Sequence, residues 1–223
     1  MEAEFIAKIV SIILLDIVLS GDNAVVIALA CRNLAKNQRK KAILIGTGGA
    51  IGLRIVLTFI AVWLLQIPFV KVVGGLLLFY IAYDLIRSKE EDPDIKSGNN
   101  LFAAVRTIIV ADFVMSLDNV LAIAGVANGH NGLVALGLLV SIPLIIFGSQ
   151  IIIKLMEKFP ILIWIGGLLI AYTAGHMIVN DKYGHRLVEA TTPLMNIIIP
   201  IISMVLLILV GLWTKKRQVR NIK

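Results

Sequence analysis

The chain has 223 residues, of which 59% are hydrophobic and 16% charged, and its mean hydropathy is +0.94. Soluble domains average about 45–50% apolar and about 25% charged residues, so the composition excludes a water-exposed globule, a disordered chain and a disulfide scaffold and points to a membrane protein. The single Cys31 excludes an internal disulfide and a multi-thiolate metal cluster, and the net charge of +7 is spread through loops between apolar runs rather than gathered on a nucleic-acid-binding face.

Apolar runs at about 6–30, 42–65, 69–87, 102–127, 132–153, 160–179 and 193–213 predict seven spanning helices, each needing about 20 apolar residues. The first run follows Glu2 and Glu4 and is too long for a signal peptide's hydrophobic stretch, so it is expected to stay as a span. Lys and Arg set the direction. Arg32, Lys36, Arg39, Lys40, Lys41, Arg87, Lys89, Lys96, Arg106, Lys154, Lys158 and the basic tail from Lys215 fall on one side, sixteen residues against four (Lys8, Lys71, Lys182 and Arg186) on the other. The positive-inside rule then places the N-terminus outside and the C-terminus in the cytoplasm. Trp63, Trp164 and Trp213 lie near span ends as interface anchors, and Cys31 at the cytoplasmic end of the first span reads as structural.

An internal repeat organises these spans. Residues 16–30 read DIVLSGDNAVVIALA and residues 112–126 read DFVMSLDNVLAIAGV, with seven of fifteen positions identical at an offset of 96. Pro68, Gly74, Gly75, Leu76, Leu77, Tyr80 and Ala82 align with Pro160, Gly166, Gly167, Leu168, Leu169, Tyr172 and Ala174 at an offset of 92. Each repeat holds three spans, an odd number, so the second copy must run through the membrane in the opposite sense. The expected architecture is all-α: one transmembrane domain over 1–223, with repeat one at 6–87, a linker at 88–101, an inverted repeat two at 102–179 and a seventh helix at 193–213. Secondary transporters built this way hold their substrate near the midplane, where the repeats meet.

The repeated segment carries carboxylates. Asp16, Asp22, Asp112 and Asp118 fall well inside spans one and four. Facing lipid, four such groups would cost on the order of 10–14 kcal/mol, so they are expected to face partners, water or an ion. Asp16, Ser20, Asn23 and Ile27 share one helical stripe, as the spacing i, i+4, i+7, i+11 requires. Asp22 lies about 120° around from Asp16, so one ion meets both only if the helix breaks or several helices share the work. Ser20-Gly21 is the candidate break, although Leu117 stands at the equivalent of Gly21 in the second copy. Carboxylate, amide and hydroxyl oxygens from Asp16, Asp22, Asn23, Asp112, Asp118, Asn119, Ser20 and Ser116 suit hard divalent cations, whereas Zn2+ or Cu+ would want His and Cys. His130 and His185 fall in outer loops. His176 aligns with Asp84, and the two are candidate relays at the end of a path. Arg54, the one basic residue deep in a span, has Ile146 as its repeat counterpart and is expected to be counter-ion to one Asp in the metal-free state. The Gly-Gly pairs at 74/75 and 166/167 and the Gly46–Gly49 segment read as close helix approaches rather than a phosphate loop.

In its two Asp-x-x-x-Ser-x-Asp-Asn stretches, Asp16–Asn23 and Asp112–Asn119, the chain resembles the TerC family of integral membrane proteins, and in particular its YjbE-type branch. That resemblance covers nearly all seven spans. It implies a fold of the LysE transporter superfamily, and several members of the family are implicated in Mn2+ efflux. Carried over, the acidic positions for metal handling are Asp16, Asp22, Asp112 and Asp118, with Asn23 and Asn119 beside them. The expectation is a Mn2+ exporter of the bacterial plasma membrane, working by alternating access with exchange for protons, with Ca2+ or another hard divalent cation as the other candidate cargo. Its partners are then the metal ion and the lipid bilayer, with a homo-oligomer left open, no prosthetic group and no nucleic acid. The main alternative is an accessory protein that does not transport but helps metallate exported enzymes or supports tellurite resistance. An amino-acid exporter is a further one, with Arg54 as the buried cation for a carboxylate. An intramembrane aspartyl protease needs a GxGD motif that Leu19-Ser20-Gly21-Asp22 lacks, so no enzymatic activity is expected.

Overall fold

Inside a bilayer only a helix pairs every backbone N–H and C=O within its own segment, so long apolar runs with few breakers fold as helices. The computed structural model describes residues 10–16, 19–87, 97–127, 131–181 and 194–220. These form eight helices and no strand among the described residues: α1 Val10–Asp16, α2 Gly21–Cys31, α3 Lys36–Leu64, α4 Val70–Arg87, α5 Ser97–Ala127, α6 Asn131–Lys158, α7 Ile161–Val179 and α8 Met195–Arg220. The predicted linker 88–101 lies mostly outside the described residues, as do Lys8, His130, Lys182, His185 and Arg186.

Among the described residues four stretches, within α3, α6, α7 and α8, are long and apolar enough to cross a membrane, and a fifth is gained if α1 and α2 are one span bent by 48°. Seven spans were expected. Of the two runs outside this set, α4 holds three charged residues, Lys71, Asp84 and Arg87, and most side chains of α5 beyond Leu117 lie outside the described residues. The bend falls between Asp16 and Gly21, a stretch that includes the Ser20-Gly21 break suggested by the sequence, whereas α5 runs unbroken through Leu117.

The chain divides into two compact units, residues 1–66 with 93–158 and residues 67–92 with 159–223. In the first, α3 packs along α5, α2 packs against α6 and α5, and α3 also meets α6. Ile12, Ile51 and Leu138 join α1, α3 and α6 in one apolar cluster, flanked by Leu15, Ile55 and Ile142. Small residues set the closest approaches, since a Cβ at Gly46 would fall 2.8 Å from Ile108 and one at Gly137 would fall 2.4 Å from Ile12. In the second unit α7 lies between α4 and α8 and packs along both. Asp181, buried just beyond α7, accepts the Lys71 N–H at 3.2 Å and so satisfies a first-turn donor of α4 that has no partner within its own helix. Phe69 makes the turn into α4 with a left-handed backbone, φ 61°.

The outer faces are apolar, with Phe59, Trp63, Phe102, Phe147 and Trp213 all exposed. Charge is instead buried, at Asp16, Arg54 and Asp112. This is the reverse of a water-soluble fold.

The Gly75 and Gly167 approaches read from the repeat are present, but side chains (Ile178 and Ile86) make most of the contact there. At Gly175 a Cβ would lie 2.6 Å from the backbone Cα of Pro200 and 2.6 Å from Ser203 Oγ. Backbone cannot step aside as a side-chain tip can, so Gly175→Ala is expected to lower stability by about 1–3 kcal/mol. Gly48→Ala, whose Cβ meets nothing within 4 Å, is expected not to lower it. Thermal unfolding of the two purified variants in detergent makes the comparison.

Candidate functional site

The site is built around one guanidinium. Arg54 rises from α3 into the first unit with 1% of its surface exposed. Its Nη1 donates to Asp16 Oδ1 at 2.5 Å and to Ser20 Oγ at 3.0 Å, its Nε donates to Ser116 Oγ at 2.9 Å, and its Nη2 donates to Asp112 Oδ1. Four of the five guanidinium N–H groups are thereby used.

The helical spacing of the repeated motif explains the arrangement. Asp16 and Ser20 are four residues apart, and Ser20 Oγ donates to Asp16 Oδ1 at 3.0 Å while accepting from Arg54. Asp112 and Ser116 repeat the pattern, with Ser116 Oγ donating to Asp112 Oδ2 at 3.2 Å while accepting from Nε. Each copy of Asp-x-x-x-Ser thus presents a carboxylate and a hydroxyl to the same cation. The expectation that Arg54 pairs with one aspartate is extended, because it bridges both.

Two further side chains complete the shell. Asn23 Nδ2 donates to Asp112 Oδ1 at 2.9 Å, which ties α2 to α5. Ser141 of α6 donates to Asp16 Oδ2 and lies 2.9 Å from the Leu138 carbonyl of its own helix. Sequence reading missed Ser141. Its signal is faint, a lone hydroxyl in an apolar run, which in a helix usually bonds back to its own backbone.

The remaining motif residues serve the bend. In a straight helix the Asn23 N–H would donate to the Leu19 carbonyl. Here the Asn23 N–H donates to Asp22 Oδ1 at 3.0 Å, and the Leu19 carbonyl accepts from Asn119 Nδ2 at 3.1 Å. Asp22, half-buried, and Asn119 therefore support the backbone at the bend and do not join the Arg54 cluster. The side chain of Asp118 lies outside the described residues. Asp84 and His176 belong to the second unit and are exposed; His176 stacks on Tyr172 with ring centroids 6.3 Å apart and its Nδ1 is 3.0 Å from Asn180 Nδ2.

A cavity of about 10 Å³, the room one water needs, opens beside the cluster. Its polar lining is Asn23, Thr47, Arg54 and Asp112, set among apolar residues such as Ile108 and Met115. Among the described residues no group of three or more His, Cys, Asp or Glu side chains is gathered as a metal ligand set.

Buried hydrogen bonds to charged groups contribute about 1.5–3 kcal/mol, so Ser141→Ala is expected to lower stability by about that amount. Ser149→Ala is the control on the same helix, because Ser149 Oγ bonds only back to the Ile146 carbonyl and a change within about 0.5 kcal/mol is expected. Chemical unfolding in detergent reads both.

No solved structure matches the chain. The membrane protein YjbE of Bacillus subtilis (strain 168) is 45% identical over 209 residues, which cover 91% of this chain and 96% of that protein. YkoY of the same organism is 25% identical over 202 residues, 77% of this chain and 62% of its own length. The inner membrane protein YoaE of Escherichia coli (strain K12) is 24% identical over 180 residues, 72% of this chain but 35% of that longer protein. Residues 1–219 match the integral membrane protein TerC family, and with its buried charges and apolar helices the chain belongs to that family as a multi-pass membrane protein.

Proposed function

We propose that this protein is a transporter of the bacterial plasma membrane that exports a hard divalent cation, Mn2+ foremost, with Asp16 and Asp112 as the carboxylates that meet it. The observation that carries the reading is the convergence of both copies of Asp-x-x-x-Ser on one buried cation. Ionisable groups within spans mark ion pathways far more often than they serve packing. Neutral oxygens of Ser20, Ser116 and Ser141 stand next to the two carboxylates. This is a donor set for Mn2+, Mg2+ or Ca2+ rather than for a softer metal.

Charge decides how cargo and Arg54 relate. Two carboxylates and one guanidinium sum to −1, whereas two carboxylates and a divalent ion sum to zero. Unit charges 4 Å apart repel by about 4 kcal/mol at an effective dielectric of 20, so a guanidinium held against a divalent ion would cost on the order of 8 kcal/mol. Arg54 is therefore the stand-in cation of the empty protein, and the cargo replaces it.

Helix pairing supports an inverted repeat as the basis of alternating access. Exchanging the two repeats turns α3 against α5 into α6 against α2, and both pairings occur in the first unit, while α4 and α7 pair in the second. Each unit thus draws equivalent helices from both halves of the chain. Exchange for protons belongs to the same proposal, with an inwardly directed proton gradient driving the cation out.

Mn2+ flux into proteoliposomes that hold the purified protein tests the reading. Asp16→Asn and Asp112→Asn are each expected to cut flux at least about ten-fold, the equivalent of about 1.4 kcal/mol in the barrier. Glu157→Gln, which removes only an exposed partner of Arg39, is expected to leave it unchanged. Absent flux in the wild type, or full flux in both aspartate variants, would turn the reading toward the accessory role.

A further inference from the structure

Among the described residues, two acceptors beside the cluster have no hydrogen-bond partner. Asn23 Oδ1 and Thr47 Oγ1 are buried, in residues only 4% and 2% exposed, and both line the cavity next to Arg54. Buried polar atoms of this kind call for an explanation. Thr47 also stands apart from comparable residues: the hydroxyls of Thr58, Ser141, Ser149, Thr173, Ser203 and Thr214 all lie within hydrogen-bond reach of a carbonyl in the preceding turn of their own helix.

The donor that fits these acceptors is already present. A guanidinium only donates, and one of the five N–H groups of Arg54 is left over from the contacts with Asp16, Ser20, Asp112 and Ser116. Thr47 and Arg54 are seven residues apart on α3, two turns along one face. Helical side chains lean toward the N-terminus, so Arg54 leans toward the turn that carries Thr47. The space between is water-sized, which is the size of one guanidinium amino group.

We propose that Asn23 Oδ1 and Thr47 Oγ1 form a second seat for the Arg54 guanidinium, taken up when a cation occupies Asp16 and Asp112, so that Thr47 is a positioning residue for cation binding. The inference rests on the cation-transport reading and adds the place to which the displaced arginine goes. Without that seat the guanidinium would be left buried without acceptors, or would stay and repel the ion. With it, the exchange of one cation for another needs only a side-chain movement inside the first unit.

The test is Mn2+ titration of the purified protein in detergent, followed calorimetrically. Thr47→Val keeps the shape and removes the acceptor; it is expected to weaken Mn2+ binding by about ten-fold, the loss of one hydrogen bond to a charged group, and Thr47→Ser is expected to restore it. The unfolding temperature of the cation-free protein should not fall in Thr47→Val, because the hydroxyl has no partner in that state. In an Arg54→Gln background, Thr47→Val should have no effect on binding. Should Arg54→Gln not fold, Ca2+ titrations take its place: a residue acting through Arg54 weakens Mn2+ and Ca2+ by the same factor, whereas a direct ligand does not. An unchanged affinity in Thr47→Val, an equal loss with Arg54→Gln, or unequal losses for the two ions overturns the proposal. A wild type that binds no Mn2+ overturns the transport reading itself, and this inference with it.

Discussion

The first unit is organised around a buried ion cluster. A lone guanidinium among apolar helices is strongly unfavourable, and so is a lone carboxylate; each persists here because the other is within hydrogen-bond distance. Arg54 of α3 binds Asp16 of α1 and Asp112 of α5, and Ser141 of α6 binds Asp16 in turn. Four helices are fixed in rotation and height by one polar cluster. Apolar packing alone does this weakly, since a helix coated in Leu and Ile meets lipid and protein with nearly the same surface.

The bend between α1 and α2 follows from the same cluster. Asp16 and Ser20 meet Arg54 on one side of it, while Asn23, just beyond, reaches across to Asp112. The backbone groups displaced by the bend are met by Asp22 and Asn119. The two asparagines of the repeated motif have accordingly diverged, one holding a carboxylate and the other a backbone carbonyl. Leu117 belongs to this divergence. A Cβ at Gly21 would meet nothing within 4 Å and its backbone is not left-handed, so neither space nor φ requires a glycine there, and the unbroken α5 carries Leu117 at the aligned position.

The repeated Asp-x-x-x-Ser motif could be read from the sequence because its spacing equals the helical repeat, and burial of its carboxylates followed from their cost in lipid. Arg54 was legible as a partner but not as a bridge, because the sequence does not say which helices face one another. Ser141 and Thr47 gave no signal that set them apart from other lone hydroxyls. A single hydroxyl in an apolar helix is ordinarily bonded to its own backbone, and only coordinates show that one reaches an aspartate and the other reaches nothing. Asp22 carried the same sequence signal as Asp16 and lies at the bend instead, since six residues along a helix put it on another face. The division into two units was equally hidden, because it takes helices from both halves of the chain rather than separating the repeats at the linker.

The chain carries the Asp-x-x-x-Ser motif twice, yet the position that aligns with Arg54 is Ile146, and the cluster holds one cation for two carboxylates. A second arginine would have balanced the cluster pair by pair and left nothing to be exchanged. A lysine in place of Arg54 would offer a single ammonium where a planar fork now reaches two carboxylates and two hydroxyls at once. The resident guanidinium is broad enough to hold both halves together, and it leaves the cluster with a net charge of −1. On the proposed transport reading, a divalent ion would instead draw both carboxylates to one point and neutralise them. On the same proposed reading, this unequal pairing of two acids with one base is what would make an empty state and a loaded state two arrangements of the same buried oxygens.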